Sequence, residues 1–270
     1  MSSRKRNYQW SEPWGLACSP IAITPELWYV GNRDVSCHAL KTPDGVILFD
    51  TAFANTTYLL VDSLWAAGID PRDVGLIIHS HGHEDHCGGT RRMQALTGAP
   101  VYLGERDFNT VINGTPLTCA EYTYGITNFE TFIPDHAISH GDVIRFGGVD
   151  IHCHATPGHT PGCISFTFDV DVDGTPRTAG LFGGPGLWTM EDLHTAAQGY
   201  RGNRDDFRQS LKLLATLDVE VWLGAHPDQS RTFQKAEHLA RGASPNPFVN
   251  PKGWKAFIAG IQEKFDGKGW

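Results

Sequence analysis

The stretch HSHGHEDHCGG, residues 79–89, is dense in side chains that bind metal ions. It holds four histidines and two acidic residues among its eleven positions. It follows the apolar run VGLII (74–78), which is typical of a strand buried on both faces. His79, His81 and His83 alternate with other residues, so an extended chain would project them from one face. Because imidazole and carboxylate groups are ligands for Zn²⁺, the stretch predicts a metal site at the end of a strand.

The rest of the chain alternates short β-rich runs with helical patterns. Strands are predicted for ELWYVG, VILFD, VGLIIHS, VYLG, VIRFGG, VDIHCHA, CISFTFDV, AGLFGG and VEVWLGAH. The turn TPDG (42–45) is expected to join the first two strands. Helices are predicted for TTYLLVDSLWAAG, GGTRRMQALTGAP, RDDFRQSLKLLATL and NPKGWKAFIAGIQEKF. This order predicts an α/β fold whose sheet faces are covered by helices. The aromatic, irregular segment 104–133 is interpreted as a lid or pocket wall, with a surface excursion as the alternative.

Composition excludes several classes of function. The net charge is −8 and the longest basic run is Arg4-Lys5-Arg6, so a nucleic-acid partner is not expected. The sequence contains no apolar run long enough for a membrane helix, and no membrane partner is expected. The six cysteines form no CxxC pair, which favours reduced thiols and a cytosolic location. A periplasmic or secreted protein without its leader would look similar, and that alternative stays open.

The histidine-rich stretch resembles the HxHxDH motif of the metallo-β-lactamase superfamily. The resemblance implies that His81 and His83 bind one metal ion, and that Asp85 and His86 bind a second. TPGHTPGC (156–163) resembles the second motif of that family and offers His159 to the first metal. VEVWLGAHP (219–227) ends with a histidine that matches the last one of the family, and offers His226 to the second metal.

The resemblance covers residues 26–230 and is strongest to the third subclass of zinc β-lactamases, which has a histidine-rich site without a cysteine ligand. It implies a four-layer αββα sandwich and a single hydrolase domain over residues 1–270. It further implies two Zn²⁺ ions per chain and hydrolysis of a small molecule, either a β-lactam or a similar cyclic amide. Zinc lowers the pKa of its bound water to about 7, which supplies hydroxide to attack a carbonyl. Asp85 is the expected catalytic residue, placed to orient that nucleophile and handle its proton.

The loop LFGGPGLW (181–188) departs from the family pattern. Many superfamily members have an aspartate there that bridges both metals, and the third subclass has serines that help to hold the carboxylate of the drug. Gly183, Gly184 and Gly186 offer neither group. Arg201 and Arg204 are candidates for a carboxylate clamp, with a solvated loop as the alternative. A lactonase, a thioesterase or another ester hydrolase therefore remains an alternative on the same fold. A metal-binding oxidoreductase or a non-catalytic relative is a third.

Several other residues are assigned on weaker patterns. Candidate substrate-pocket aromatics, each of which is otherwise an ordinary packing residue, are Trp188, Tyr200, Tyr122, Tyr124 and Phe129. His79 is expected to be structural, with a contact to a residue that holds a metal ligand as the alternative. The histidines outside the motifs are expected to be surface or hydrogen-bonded structural residues, and they are His38, His136, His140, His152, His154, His194 and His238. The thiol of Cys87 is expected to be a small packed group rather than a metal ligand.

Overall fold

A seven-stranded sheet forms the N-terminal half of the described chain. The computed structural model describes residues 12–270. The strands of this first sheet, in spatial and chain order, are β1 (Ile21–Ala22), β2 (Leu27–Tyr29), β3 (His38–Thr42), β4 (Gly45–Phe49), β5 (Val74–Ile78), β6 (Val101–Gly104) and β7 (His136–Ile138). Strands β1 to β4 pair antiparallel, and β4 to β7 pair parallel. The carboxyl ends of β5 and β6 therefore lie at one edge of the sheet.

A five-stranded sheet forms the other half. Its strands, in spatial order, are β12 (Val221–Leu223), β11 (Thr175–Leu181), β10 (Ile164–Val172), β9 (Val149–Ala155) and β8 (Val143–Phe146). Pairing is antiparallel except between β11 and β12, which run parallel. Both of these strands end on the side where the loop from β9 to β10 lies.

Nine α-helices follow or connect these strands within residues 12–270. They are α1 (Thr57–Ala66), α2 (Glu84–Cys87), α3 (Thr90–Thr97), α4 (Phe108–Asn113), α5 (Ala120–Tyr124), α6 (Asp192–Gln198), α7 (Asn203–Leu214), α8 (Thr232–Ala240) and α9 (Gly253–Asp266). Short 3-10 turns occupy Pro13–Leu16, Ala54–Thr56, Pro71–Asp73, Glu105–Asp107, Pro116–Thr118 and Trp188–Met190. No described helix is long and apolar enough to cross a bilayer.

Three apolar clusters hold four layers together. One cluster lies between the sheets, with Phe49 and Ile78 facing Phe166 and Phe168. A second lies between the first sheet and helices α1, α3 and α4, and a third lies between the second sheet and helices α7 and α9. Alternate residues of β5 serve two clusters, because successive side chains on a strand point to opposite faces. The predicted αββα sandwich is confirmed, while a single domain over residues 1–270 stays a prediction.

The hairpin around TPDG differs from the sequence prediction. The turn joins β3 to β4, and β3 separates β4 from β2 in the sheet. The sequence HALKT of β3 has only a short apolar core, so propensity alone did not distinguish it from a loop. Pairing on both sides, with β2 and β4, makes it a strand.

Candidate metal centre

Three buried histidines from two loops converge at one edge of the sandwich. His81 and His83 lie between β5 and α2, and His159 lies between β9 and β10. The Nε2 atom of His81 is 3.0 Å from the Nδ1 atom of His83. One ring nitrogen from each of the three lies within 4.8 Å of the other two. Each residue is at most 6% exposed, so these nitrogens face one another rather than solvent.

The electrostatic environment keeps these three imidazoles neutral. Burial lowers the pKa of His81 and of His83 well below the usual value, and the neighbouring imidazoles lower it further. Burial likewise lowers the pKa of His159, to about 4. Neutral imidazole is the form that binds a metal ion. At neutral pH the three histidines are therefore in the protonation state that a metal requires.

A second group adjoins the first. Asp85 and His86 lie on the short helix α2, and His226 follows β12. Ligand atoms of His81, Asp85 and His86 lie within 4.8 Å of one another. The Oδ2 atom of Asp85 is 3.5 Å from Nε2 of both His86 and His226. His226 is 27% exposed, so it stands at the rim while the others are buried. The fold thus brings together all six residues that the resemblance singled out.

Asp50 orients part of the second group, and the sequence reasoning did not identify it. Its carboxylate accepts hydrogen bonds from the amide of Ser80 at 2.8 Å and the hydroxyl of Ser80 at 2.7 Å. It also lies 2.8 Å from Nδ1 of His86, which directs Nε2 of that ring towards Asp85. Burial alone would raise the pKa of Asp50, but the nearby His86 and His79 lower it. The sequence signal was an acidic residue at the end of the apolar run VILFD.

Asp50 and Asp85 also set the charge of His86. Burial opposes protonation of this ring, but the two carboxylates together raise its pKa above the usual value. The two groups of ligands therefore differ: the first is neutral, and the second carries negative charge that attracts protons or cations.

Backbone carbonyl groups orient the two remaining histidines. Nδ1 of His159 lies 2.8 Å from the carbonyl oxygen of Gly186. Nδ1 of His226 lies 2.6 Å from the carbonyl oxygen of Asp34. A carbonyl accepts only, so in each ring Nδ1 carries the proton and Nε2 presents its lone pair. Held in this way, both rings have the tautomer that ligates through Nε2.

Two buried polar atoms of the site have no hydrogen-bond partner among residues 12–270. They are Nε2 of His83 and Oδ1 of Asp85. Buried polar atoms are normally satisfied, so an unsatisfied one within a ligand cluster has a lone pair free for a metal ion. The donor set of neutral imidazole nitrogens and carboxylate oxygens suits a divalent cation of the zinc type. The residues present therefore fit a metal centre.

A cavity of about 230 Å³ opens onto this centre. Its lining includes four of the six ligand-type residues and the glycine-rich loop after β11. The lining residues are Arg33, Asp34, His81, His86, His159, Gly183, Gly184, Pro185, Gly186, Trp188, Ala225, His226, Pro227, Asp228 and Gln229. Arg33 is the one lysine or arginine in that lining. Its Nε donates to the carbonyl oxygen of Ala17 at 3.0 Å, which holds the guanidinium at the mouth. Sequence reasoning missed Arg33 because no local pattern marks it.

The glycine loop after β11 packs directly on His159. A Cβ atom on Gly184 would lie 2.6 Å from Cβ of His159, and one on Gly186 would lie 3.0 Å from its Cε1. The same loop supplies the Gly186 carbonyl that orients the ring. The loop therefore packs against and orients His159 through its backbone atoms.

Arg201 and Arg204 do not reach this cavity, so the structure does not support the predicted carboxylate clamp. They line a separate depression beside α6 and α7. Arg204 donates to the carbonyl oxygen of Met190 and pairs with Asp192 at 2.6 Å. Their positions fit the alternative, in which both arginines are partly or fully solvated and do not belong to the site.

The predicted pocket aromatics separate into different roles. Trp188 lines the cavity, with its ring centroid 5.6 Å from that of His83 and 5.8 Å from that of His159. The hydroxyl of Tyr124 hydrogen-bonds to Asp85, so segment 104–133 does reach the site. Phe129 packs against the core, and Tyr200 bonds to Asp206 away from the cavity. The side chain of Tyr122 lies outside the described residues.

The residues assigned structural roles largely keep them. His79 is fully buried, with Nε2 2.8 Å from the hydroxyl of Thr90. His38 is buried in β3, and His154 bonds to Thr167. His194 instead packs at 4.9 Å on Trp188, which lines the cavity. Cys87 is a buried core residue whose pKa is raised well above the usual value by burial, so it stays a thiol.

Comparison with known proteins identifies the family. A model described as the metallo-beta-lactamase superfamily matches residues 30–226, which is most of the chain. The chain belongs to the metallo-beta-lactamase superfamily. Its structure is similar to that of BJP-1 of Bradyrhizobium japonicum, a subclass B3 metallo-beta-lactamase. That match has 29% identity and a TM-score of 0.86, and covers 95% of this chain and 96% of the other.

Three further proteins are similar to this chain. The FEZ-1 metallo-beta-lactamase of Legionella gormanii has 26% identity and a TM-score of 0.86, covering 94% of this chain and 96% of that one. An N-acyl homoserine lactonase of Bacillus thuringiensis is 27% identical over 53% of this chain, and the alignment spans 62% of that protein. An Aquifex aeolicus protein is 37% identical over 49% of this chain, spanning 59% of its own length. This superfamily member is thus a metal-dependent hydrolase, and its subclass B3 likeness extends over the whole fold.

Proposed function

We propose that this superfamily member is a dinuclear zinc hydrolase that opens a β-lactam or a similar cyclic amide. The observation that carries the proposal is the meeting of six ligand-type side chains beside a cavity. In this assignment His81, His83 and His159 hold the first ion, and Asp85, His86 and His226 hold the second. When bound, the zinc ions lower the pKa of water so that hydroxide is available at neutral pH.

The residues of the chain orient the reacting groups. Asp85 is a buried member of the second group of ligands and adjoins the first group. It would orient the nucleophile and take its proton. Burial raises the pKa of the Tyr124 phenol well above its usual value, so this group keeps its proton. The protonated phenol can donate a hydrogen bond to Asp85, which restrains the carboxylate. Trp188 would provide an apolar wall next to the first group of histidines. The small cavity favours a compact ring or the reacting end of a longer molecule.

Arg33 is the candidate group for recognising a substrate carboxylate. It is the one cationic side chain among the described lining residues, and guanidinium groups bind carboxylates in a two-pronged way. It would take over a task that serines perform in the resembled subclass, since this chain has Gly184 and Gly186 in that loop. Asp34 and Asp228 share the rim, so a second negative charge on the substrate would be disfavoured.

A lactonase or another ester hydrolase is the second candidate. The observation that favours it is the glycine loop without serines, together with sequence similarity to an N-acyl homoserine lactonase. The same constellation would serve a lactone or thioester, because the attacked group is again a carbonyl.

Metal analysis and a substrate panel test both candidates. The purified protein is expected to bind about two zinc ions per chain, and chelation is expected to abolish turnover. Initial rates are then compared for nitrocefin, an N-acyl homoserine lactone and a hydroxyacylglutathione thioester. Turnover of nitrocefin with weak turnover of the others supports the β-lactamase assignment. Clear lactone cleavage without turnover of any β-lactam would reject it in favour of the second candidate, and iron without hydrolysis would reject both.

A further inference from the structure

Asp107 is a buried carboxylate that belongs to neither group of ligands. It lies in the 3-10 turn Glu105–Asp107 directly after β6 and is 0% exposed. Sequence reasoning placed this residue only within a general lid segment. Burying a carboxylate is costly unless it is fully hydrogen-bonded, so such a residue requires a structural or functional reason.

The partners of Asp107 come from the two loops that carry the first group of histidines. Its Oδ2 atom accepts from the amide of Gly82 at 2.9 Å, and Gly82 stands between His81 and His83. The same oxygen accepts from the hydroxyl of Thr160 at 2.7 Å, which follows His159. Its Oδ1 atom accepts from the amide of Gly162 at 2.7 Å. One carboxylate therefore ties the histidine pair to the loop of the third histidine.

Close packing leaves little room for the loops to move relative to Asp107. A Cβ atom on Gly162 would lie 2.6 Å from Cγ of Asp107, and one on Gly82 would lie 3.3 Å from its Oδ2. The backbone at Gly162 therefore approaches the carboxylate more closely than a side chain would allow, and a side chain at Gly82 would have to displace it slightly. The loops are also joined by the amide of Ile164, which donates to the carbonyl of Ser80 at 2.8 Å. Loss of the carboxylate would therefore loosen the connection without separating the loops.

We propose that Asp107 is a positioning residue that holds His81, His83 and His159 at the spacing required by one metal ion. The inference rests on the proposed metal assignment. A ligand set that is assembled in advance binds tightly, because the ion does not have to order the loops. The second group contains no residue from the His159 loop, so its affinity should depend little on Asp107.

The test measures metal affinity rather than activity alone. The metal-free protein is titrated with Zn²⁺ against a chromophoric chelator, and with Co²⁺ while its ligand-field bands are recorded. Asp107→Asn replaces one of the two acceptor oxygens with an NH₂ donor, because an amide has only one acceptor oxygen. At least one of the three hydrogen bonds to the two loops is then lost. The expected result is a loss of about 10- to 100-fold in affinity for one ion, with the other ion within about threefold of wild type. Thr160→Val, which removes one of the three bonds, should shift the same ion by less, and Thr160→Ser should restore it.

Two controls assign the effect. Asp142→Asn changes an exposed turn carboxylate, which accepts from the amide of Ser139 at 2.7 Å and not from a loop that carries a metal-type ligand. It should leave both affinities unchanged. In an Asp85→Asn background, which weakens the second group, the remaining ion should still lose affinity on Asp107→Asn. Wild-type affinity in Asp107→Asn and Thr160→Val, or an equal loss at both ions, would overturn the proposal. A wild-type protein that binds no zinc would overturn the proposed function itself.

Discussion

The two groups of metal-type ligands in this protein are prepared in different ways. His81, His83 and His159 are buried, neutral and fixed by backbone contacts from two tightly packed loops. Asp85 and His86 instead lie among carboxylates, and the third member, His226, is 27% exposed. The first group is therefore organised by packing, and the second by charge. Changes in volume should mainly affect the first group, and changes in charge should mainly affect the second.

The largest effect is expected from removing the charge of Asp85. Asp85→Asn keeps the shape of the side chain but removes the anion beside His86 and His226. Turnover should fall about 10²- to 10⁴-fold, the range for loss of a proton-transfer group. Steady-state kinetics and zinc content measure the result, with the second ion weakened more than the first.

Asp62→Asn is the matched control, because it alters an exposed carboxylate on α1. It should leave kinetics and zinc content unchanged. If Asp85→Asn turned over substrate at nearly the wild-type rate, Asp85 would not be the catalytic residue, and charge would not distinguish the second group.

A smaller effect is expected from adding volume to the first group. Gly184→Ala places a methyl group 2.6 Å from Cβ of His159 in the unrelaxed structure. Relief of this overlap should displace the ring and destabilise the protein by about 1–3 kcal/mol, as overpacking typically does. Thermal unfolding and zinc titration should show a lower Tm and weaker binding of one ion, with the other ion little changed.

Gly260→Ala serves as the control for this substitution. Gly260 lies within α9 with no atom within 4 Å of the added methyl group, so alanine should stabilise the helix by about 0.5–1 kcal/mol. Unchanged zinc binding in Gly184→Ala would show that the first group is not organised by tight packing.

The smallest effect is expected at the rim of the cavity. Arg33→Gln removes the cation of the described lining. Exposed charge pairs contribute about 0.2–1 kcal/mol, so KM for a carboxylate-bearing substrate should rise by about twofold to fivefold, with kcat nearly constant. The KM for an uncharged lactone should not change.

Arg241→Gln, on a surface ion pair with Glu237, is the control and should alter neither KM. An equal rise in KM for charged and uncharged substrates would mean that Arg33 supports the shape of the rim rather than recognising charge.

Much of the architecture was predictable because local patterns and buried periodicity agree in this chain. Residues 101–104 and 149–155 form the predicted strands with the predicted bounds. The predicted helix at 204–217 is found as α7 over Asn203–Leu214. The predictions failed where pairing partners decide the outcome, as in β3, or where short helices form inside an aromatic segment, as in α4 and α5. In those places the free energy comes from contacts distant in sequence, which a local pattern does not contain.

The sequence by itself determined the chemistry of the site. A buried strand is followed at short spacing by His81, His83, Asp85 and His86. Because these residues are so close in sequence, local backbone geometry decides that their side chains leave the end of the strand together. Only the tertiary structure decided what holds and surrounds them. Each of these partners is 25 or more positions away in sequence. Asp50 binds Ser80, Asp107 binds Gly82, and Arg33 shares the cavity with His81. Such partners meet only when the two sheets stack and their loops pack at one edge. A local sequence pattern contains no information about such contacts, so it could not predict them.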